Sequence, residues 1–195
     1  MSVKKQFSKY ANQYNNHNII QQIAAKSMVR DITSKPKRIL ELGCGSGQIF
    51  KYIGWEIDFY KAVDFSSSMC AIHPKAKNVK VECHDFDDDS FHDSIKDEKY
   101  DLVISSSALQ WSKDLKKIVK RLISITNEIN VALFTSNTFK TIQDITNSPS
   151  PILSQVDIKE AFFEYCDCDI EVFNYNLEFE NKKELFNYIK KSGVS

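Results

Sequence analysis

Apolar residues along the chain follow two periods, one typical of buried strands and the other of amphipathic helices. Five short apolar runs predict buried strands, at residues 38–42, 59–63, 79–83, 100–104 and 130–134. Apolar residues at helical spacing lie before, between and after these runs, around residues 19–28, 48–53, 65–69, 115–122, 158–165 and 185–189. An alternating stretch at residues 170–179 predicts one more extended strand.

This alternation of strands and helices predicts an α/β fold with a mostly parallel central sheet and helices on both faces. Parallel strands need long crossover connections, and such connections normally become helices. In sheets of this kind, ligands bind outside the carboxyl ends of the strands, where the strand order reverses. The chemistry of this chain is therefore expected to follow Leu42, Val63, Cys83 and Ile104.

Composition narrows the range of partners. The chain has 195 residues, of which 42% are hydrophobic, and this length fits one compact domain with a substantial core. Its 26 basic and 26 acidic residues balance, so no overall field favours nucleic acid or an anionic membrane. Neither a signal peptide nor a membrane-spanning run is visible in the sequence. We therefore predict a cytoplasmic monomer whose five cysteines are reduced.

Two further patterns suggest metal binding but lack essential ligands. Cys166 and Cys168 have no second ligand pair at the spacing that a closed zinc site needs. The three aspartates at residues 87–89 lack the glycine and the bidentate glutamate of a calcium loop. The sequence therefore predicts no metal site.

The strongest local signal is the glycine-rich sequence ELGCGSG at residues 41–47, between the first strand and a helix. Its three alternating glycines let the backbone turn tightly and approach a ligand closely. The spacing differs from that of dinucleotide-binding and Walker loops, and no lysine follows the last glycine, so nucleoside triphosphate binding is disfavoured. Taken alone, the sequence is also consistent with an ordinary strand-to-helix turn.

Acidic residues stand in or directly after the first three predicted strands. Asp64 lies where a carboxylate can accept hydrogen bonds from both hydroxyls of an adenosine ribose. Asp85 is placed to accept one from an adenine amino group, and Glu41 adds negative potential that favours a cationic ligand such as S-adenosylmethionine. Each acid alone is also consistent with a solvated loop residue or a helix cap, so the inference depends on all three.

These sequences resemble successive motifs of the class I S-adenosylmethionine-dependent methyltransferases: RILELGCGSG at residues 38–47, VDFS at 63–66 and DLVI at 101–104. The resemblance implies a Rossmann-like methyltransferase fold that uses S-adenosyl-L-methionine and releases S-adenosyl-L-homocysteine. The glycines would line the methionine portion, Asp64 would hold the ribose, and Asp85 with Phe86 would flank the adenine. The residues implied to bind the cofactor are Glu41, Gly43, Cys44, Gly45, Gly47, Asp64, Phe65, Asp85, Phe86 and Ser105.

Segments outside this core resemble the malonyl-acyl-carrier-protein O-methyltransferases of biotin synthesis. They are FSKYANQY at residues 7–14, SALQW at 107–111, FTSNTF at 134–139 and LFNYIKKSGV at 185–194. The resemblance implies methyl transfer to the free carboxyl of malonyl-acyl carrier protein, with Tyr10, Tyr14, Gln110 and Trp111 positioning the substrate. It also implies a single domain with an N-terminal lid and helix (1–35), a cofactor-binding core (36–135) and a C-terminal substrate-side part (136–195).

Alternatives to this assignment stay open. The first two of these segments also occur in relatives that methylate small carboxylic acids such as trans-aconitate, and a fold of this kind can persist as a non-catalytic S-adenosylmethionine-binding module. Tyr14 and Trp111 are equally consistent with merely covering the core. The family normally ends in one more antiparallel strand, which would lie beyond Ser195 unless the sheet edge is completed differently.

Basic side chains form a candidate docking surface for an acidic carrier protein. They are Lys4, Lys5, Lys9, Lys116, Lys117, Lys120 and Arg121. Such a surface would attract an acidic partner electrostatically. The simpler interpretation is a solvated helix face and tail. We also expect the segment through Tyr14 to act as a lid that closes over cofactor and substrate.

Overall fold

The computed structural model describes residues 18–192 of the chain, with side chains through residue 190. The strands are β1 (Arg38–Leu42), β2 (Phe59–Asp64), β3 (Val79–Cys83), β4 (Leu102–Ser106) and β5 (Ile129–Ala132). The helices are α1 (Ile19–Asp31), α2 (Gln48–Tyr52), α3 (Ser67–Ile72), α4 (Asp89–Ile95), α5 (Leu115–Leu122), α6 (Lys140–Thr146), α7 (Gln155–Phe163) and α8 (Lys182–Ser192). A short 3-10 helix, Leu109–Trp111, follows β4.

The five strands form one parallel sheet in the order β3-β2-β1-β4-β5. Each connection between neighbouring strands carries at least one helix, as parallel pairing requires. This arrangement confirms the predicted α/β class. The strand order reverses between β1 and β4, so the crevice outside their carboxyl ends is the expected ligand site.

Two apolar clusters cover the opposite faces of the sheet, because side chains alternate along each strand. On β1, Ile39 packs in a cluster with Met28 of α1, whereas Leu40 packs in the other with Phe91 of α4 and Ile118 of α5. Each such buried side chain contributes about 1.5–3 kcal/mol to stability. Both faces of β1 are thus closed by helices, and only its ends stay accessible to a ligand.

Side-chain caps determine where several helices begin. The Ser66 hydroxyl accepts a hydrogen bond from the Met69 backbone N–H at 3.4 Å, which confirms the predicted cap of α3. Ser154 and Asp157 form a reciprocal capping box at the start of α7. Because the cap of α3 follows β2 by two residues, it fixes the course of the chain next to Asp64.

The prediction of a strand at residues 170–179 is wrong. The described residues contain no strand after β5, and residues 169–178 are all exposed. An alternating stretch becomes a strand only when a neighbouring strand takes up its backbone N–H and C=O groups, and within the described sheet β5 pairs only with β4.

None of the helices formed by the described residues is long and apolar enough to cross a membrane.

Candidate active site

The glycine turn after β1 is tied to the end of β2 by backbone hydrogen bonds. The N–H groups of Gly43 and Cys44 both donate to the Val63 carbonyl, at 2.8 and 3.0 Å. Gly43, Gly45 and Gly47 have φ angles of +72°, +50° and +76°, a region that glycine enters without strain. The predicted turn is therefore present, and only glycine fits it well at all three positions.

The sides of this turn differ in how much space they leave. A Cβ atom at Gly43 would lie 2.1 Å from Cβ of Ala108, so the segment after β4 packs directly against the turn. At Gly45 a Cβ atom would meet nothing within 4 Å. The backbone thus offers an open side at Gly45 and a closed side at Gly43.

Asp64 ends β2 with its carboxylate directed toward the glycine turn. One oxygen accepts the Gly45 N–H at 2.9 Å and the other accepts the Ser66 N–H at 2.8 Å. The residue is only 6% exposed. Burial raises the pKa of the Asp64 carboxyl to about 6, although the two backbone hydrogen bonds oppose that shift.

Glu41 lies deeper, in a buried polar cluster with Tyr60 and His73. Its carboxylate accepts the Tyr60 hydroxyl at 2.6 Å, and His73 Nε2 lies 3.9 Å from the same oxygen. Burial raises the pKa of the Glu41 carboxyl, and the neighbouring His73 and Tyr60 partly offset this. His73 also supports the turn, because its Nε2 would be 2.9 Å from a Cβ at Gly47. The sequence did not identify Tyr60 and His73, since each is an isolated residue in an apolar or loop setting.

Residues that follow β2 and β3, together with one residue of β4, complete the neighbourhood of the turn. The Phe86 ring is buried, with Cε1 4.0 Å from the position of a Cβ at Gly43. Asp85 is half-buried and accepts the Asp87 N–H at 3.0 Å, which shapes the loop after β3. Ser105 is fully buried and donates its hydroxyl to the Leu42 carbonyl at 2.7 Å. Phe65, the residue after Asp64, is half-buried.

Three consecutive residues after β4 carry buried polar atoms without a hydrogen-bond partner among the described residues. They are Gln110 Oε1, Trp111 Nε1 and Ser112 Oγ. Gln110 is itself fixed by donating its side-chain N–H to the Ser107 carbonyl at 2.8 Å. Buried groups of this kind are costly unless a ligand or water satisfies them. The sequence identified Gln110 and Trp111 but missed Ser112, for which it gave no signal.

The structure tests the predicted docking surface only in part. On α5, Lys116 pairs with Glu164 at 3.1 Å. Lys117 and Arg121 both pair with Asp89, at 2.9 and 2.7 Å. These intramolecular ion pairs neutralise much of the positive charge on this face, which favours the simpler interpretation of a solvated helix face. Tyr10, Tyr14, Lys4, Lys5 and Lys9 lie outside the described residues.

Comparison with known proteins agrees with this geometry. The methyltransferase-domain family matches residues 40–127, which contain the glycine turn, Asp64, Asp85 and the loop after β4. The malonyl-[acyl-carrier protein] O-methyltransferase of Bacillus anthracis is 24% identical over 99% of this chain and 80% of its own length. The Haemophilus influenzae protein of the same name is 25% identical over 99% and 77%.

The chain is an S-adenosylmethionine-dependent methyltransferase.

Solved structures show the same fold. The methyltransferase in a complex with the Haloferax volcanii Trm112 methyltransferase activator superposes with a TM-score of 0.68 and 19% identity, over 84% of this chain and 75% of that one. The plantazolicin methyltransferase BpumL, in complex with a monoazolic desmethylPZN analog and SAH, superposes with a TM-score of 0.59 and 14% identity, over 82% of this chain and 74% of that one. Both solved structures have the fold that the sequence motifs predict for this chain.

The residues present fit the cofactor of this family. Gly45 leaves open space at the turn after β1, because a Cβ atom there would meet nothing within 4 Å. The Asp64 carboxylate lies beside Gly45, and the Glu41 carboxyl is buried at the end of β1. S-adenosylmethionine carries a sulfonium and an ammonium, and both are stabilised by nearby negative charge.

Proposed function

We propose that this methyltransferase acts on a carboxylate, and that its preferred acceptor is the malonyl group of an acyl carrier protein. The observation that carries the proposal is the extent of the likeness. Relatives named for that activity match 99% of the chain, so the likeness includes the segments that flank the cofactor core. We further propose that the chain works as a cytoplasmic monomer, with the three parts of one domain assigned above.

The cofactor contacts are proposed as follows. The turn at Gly43, Gly45 and Gly47 holds the methionine portion, with Cys44 in the same turn. Asp64 accepts hydrogen bonds from the ribose, and its contact with Gly45 keeps the carboxylate beside the turn. The adenine lies near the other proposed contacts, which are Phe65, Asp85 and Phe86. Glu41 and Ser105 support the turn from below, through their contacts with Tyr60 and with the Leu42 carbonyl.

Positioning dominates the proposed mechanism. When bound, S-adenosylmethionine supplies an electrophilic methyl group on a positively charged sulfur. A carboxylate is already ionised at neutral pH, so the protein needs no strong base to create the nucleophile. Its residues must align the attacking oxygen with the methyl group and exclude water. Trp111 Nε1 and Ser112 Oγ are unpaired donors that suit the second, non-attacking carboxylate oxygen. Gln110, Tyr10 and Tyr14 complete the proposed pocket.

Removing either donor should weaken substrate recognition without affecting the cofactor. Trp111→Phe and Ser112→Ala are each expected to lower kcat/KM by roughly tenfold or more, because a hydrogen bond to a charged group is lost. Steady-state kinetics measures that change, and calorimetry with S-adenosylhomocysteine should give unchanged affinity. Ser124→Ala is the matched control, since the Ser124 hydroxyl donates to the Arg121 carbonyl on an exposed surface. Wild-type kinetics in both variants would remove these donors from the pocket.

A small free carboxylic acid is the second candidate substrate. The ion pairs on α5 favour it, because they leave less positive charge for an acidic carrier. Rates with malonyl-acyl carrier protein, malonyl-coenzyme A and trans-aconitate should be compared side by side. We expect the carrier substrate to react fastest, and its rate to fall with ionic strength as charge steering is screened. A clear preference for trans-aconitate would reject the carrier, and the absence of methyl transfer to all three would reject the proposed acceptor class.

A further inference from the structure

Two cysteines meet at the turn that carries Asp64. Cys70 lies on α3, and its single thiol proton is shared between the carbonyl oxygens of Asp64 and Glu82, which lie 3.4 and 3.6 Å from the sulfur. Cys83 ends β3 and donates to the Phe65 carbonyl at 3.6 Å. Asp64 and Cys83 are also paired in the sheet, so both sulfur atoms lie close to residues 64 and 65.

The two thiols lie beside the carbonyls of consecutive residues, Asp64 and Phe65, but in different environments. Burial raises the pKa of the Cys70 thiol to about 12, with further contributions from Asp64 and from the adjacent Cys83 thiol. Cys83 is exposed, whereas Cys70 is half-buried. An oxidant from solvent therefore reaches Cys83 first, with Cys70 beside it as the second thiol.

We propose that Cys70 and Cys83 form a reversible disulfide that weakens cofactor binding. The inference uses the proposed contact between Asp64 and the cofactor. In a reducing compartment such a bond is transient and redox-sensing, in contrast to a structural disulfide. The Cys166–Cys168 pair is distant in sequence from every proposed cofactor contact and serves as the internal comparison.

A hydroperoxide such as hydrogen peroxide supplies the oxidising equivalents. The Cys83 thiolate attacks one peroxide oxygen, so that an S–O bond forms, the O–O bond breaks and the departing hydroxide takes up a proton to become water. The Cys70 sulfur then attacks the Cys83 sulfur; an S–S bond forms, the S–O bond breaks, and the Cys70 proton leaves with the second hydroxide as water. Two thiols are oxidised by two electrons, and one peroxide is reduced to two waters. A dithiol reverses the reaction by exchange.

The disulfide would change the turn because its geometry is restrictive. A disulfide brings the sulfur atoms to about 2.05 Å and removes both thiol protons. The carbonyls of Asp64, Phe65 and Glu82 then lose these thiol donors, while the Asp64 carbonyl keeps the His84 backbone N–H at 3.1 Å. The S–S bond also draws α3 and the end of β3 together beside residues 64 and 65, and this shifts the Asp64 carboxylate from its position in the reduced protein.

The test compares the reduced full-length protein with the same protein after treatment with hydrogen peroxide. Peptide mass spectrometry is expected to show Cys70 linked to Cys83, with two thiols lost. Calorimetry should show S-adenosylhomocysteine binding weakened roughly threefold to tenfold, and dithiothreitol should restore it. In Cys70→Ser and Cys83→Ser, oxidised and reduced samples should bind alike. The double variant Cys166→Ser with Cys168→Ser should keep the wild-type response.

Thermal unfolding of the reduced proteins identifies a variant that has failed to fold, and the linked peptide is measured on the wild type. Absence of that peptide, or conversion of Cys83 to sulfinic acid while Cys70 stays free, would overturn the disulfide. A linked protein that binds S-adenosylhomocysteine as the reduced one does would overturn its effect on the site. If the reduced wild type failed to bind, the proposed cofactor site and the affinity effect would both be rejected, independently of the peptide result.

Discussion

Gly43→Ala and Gly45→Ala are expected to damage the protein in different ways, although they stand two residues apart in the same turn. At Gly43 the new methyl group would lie 2.1 Å from Ala108 Cβ, and the backbone φ of +72° strains any residue with a Cβ. Together these should cost about 3 kcal/mol of stability or more. For a chain of this length that corresponds to a fall in Tm of roughly 6–12 °C, measurable by circular dichroism.

Gly45→Ala should instead act on the ligand. Its φ of +50° costs about 1–2 kcal/mol, but the added methyl group meets no protein atom within 4 Å. It would occupy the space assigned to the methionine portion, so affinity for S-adenosylhomocysteine should fall at least about tenfold. Calorimetry on the folded variant measures this loss directly.

Two further variants separate these causes. Combining Gly43→Ala with Ala108→Gly removes the methyl group that clashes, and should recover the part of the lost Tm that is due to the collision. Gly54→Ala adds a methyl group where no protein atom lies within 4 Å and no positive φ applies, so neither Tm nor affinity should fall. Tight cofactor binding by Gly45→Ala would show that the open side of the turn is not the ligand position.

The sequence predicted the parts of the fold that depend on local pattern. The strands β1 and β2 lie where apolar runs predicted them, because both faces of the central strands of a parallel sheet are buried. The edge strand β3 also lies at its predicted residues, although none of them is fully buried. The run at residues 100–104 was shifted, since β4 extends to Ser106, whose backbone pairs with β5. The stretch at 170–179 failed for the complementary reason. Its alternation is a local property, whereas a strand also needs a neighbouring strand.

The site was predictable to the extent that it follows from topology. Residues at the carboxyl ends of parallel neighbours must lie at one edge of the sheet, which is why Asp64 lies beside the glycine turn. Contacts between distant loops were not predictable in this way. The approach of Ala108 to Gly43 and of His73 to Gly47 depends on how helices pack on the sheet. From the sequence, Lys117 of α5 looks available to a partner, because its ion-pair partner Asp89 lies far from it along the chain.

The pH dependence of cofactor binding should follow the ionisation of Asp64. Burial raises the pKa of this carboxyl from 3.8 to about 6, so the folded protein without ligand binds a proton there more readily than the unfolded chain does. This tighter proton binding stabilises the folded protein by about 3 kcal/mol below pH 3.8, and that stabilisation is lost as the pH rises through about 6. Keeping the carboxylate ionised at neutral pH thus costs stability, and a ligand that favours the ionised form recovers part of this cost.

Hydrogen bonds from ribose hydroxyls to Asp64 require that ionised form. Affinity for S-adenosylmethionine and S-adenosylhomocysteine should therefore be constant above pH 7 and fall toward tenfold per pH unit below about 6. Asp64→Asn should bind more weakly at pH 8, by about 1–3 kcal/mol, because the charge-assisted bonds are lost. Its affinity should also lose the dependence on pH below 6. Calorimetric titrations of wild type and variant between pH 5 and 8 measure both effects.

Asp101→Asn provides a matched control for Asp64→Asn. The Asp101 carboxylate also accepts two backbone N–H groups, those of Lys37 and Arg38, each at 2.8 Å. It does so at the amino ends of β1 and β4, the opposite edge of the sheet from the glycine turn. Its loss should lower Tm without changing cofactor affinity at any pH. Equal weakening of binding in both variants would mean that Asp64 acts through stability, and an affinity independent of pH in the wild type would exclude Asp64 from the ribose contact.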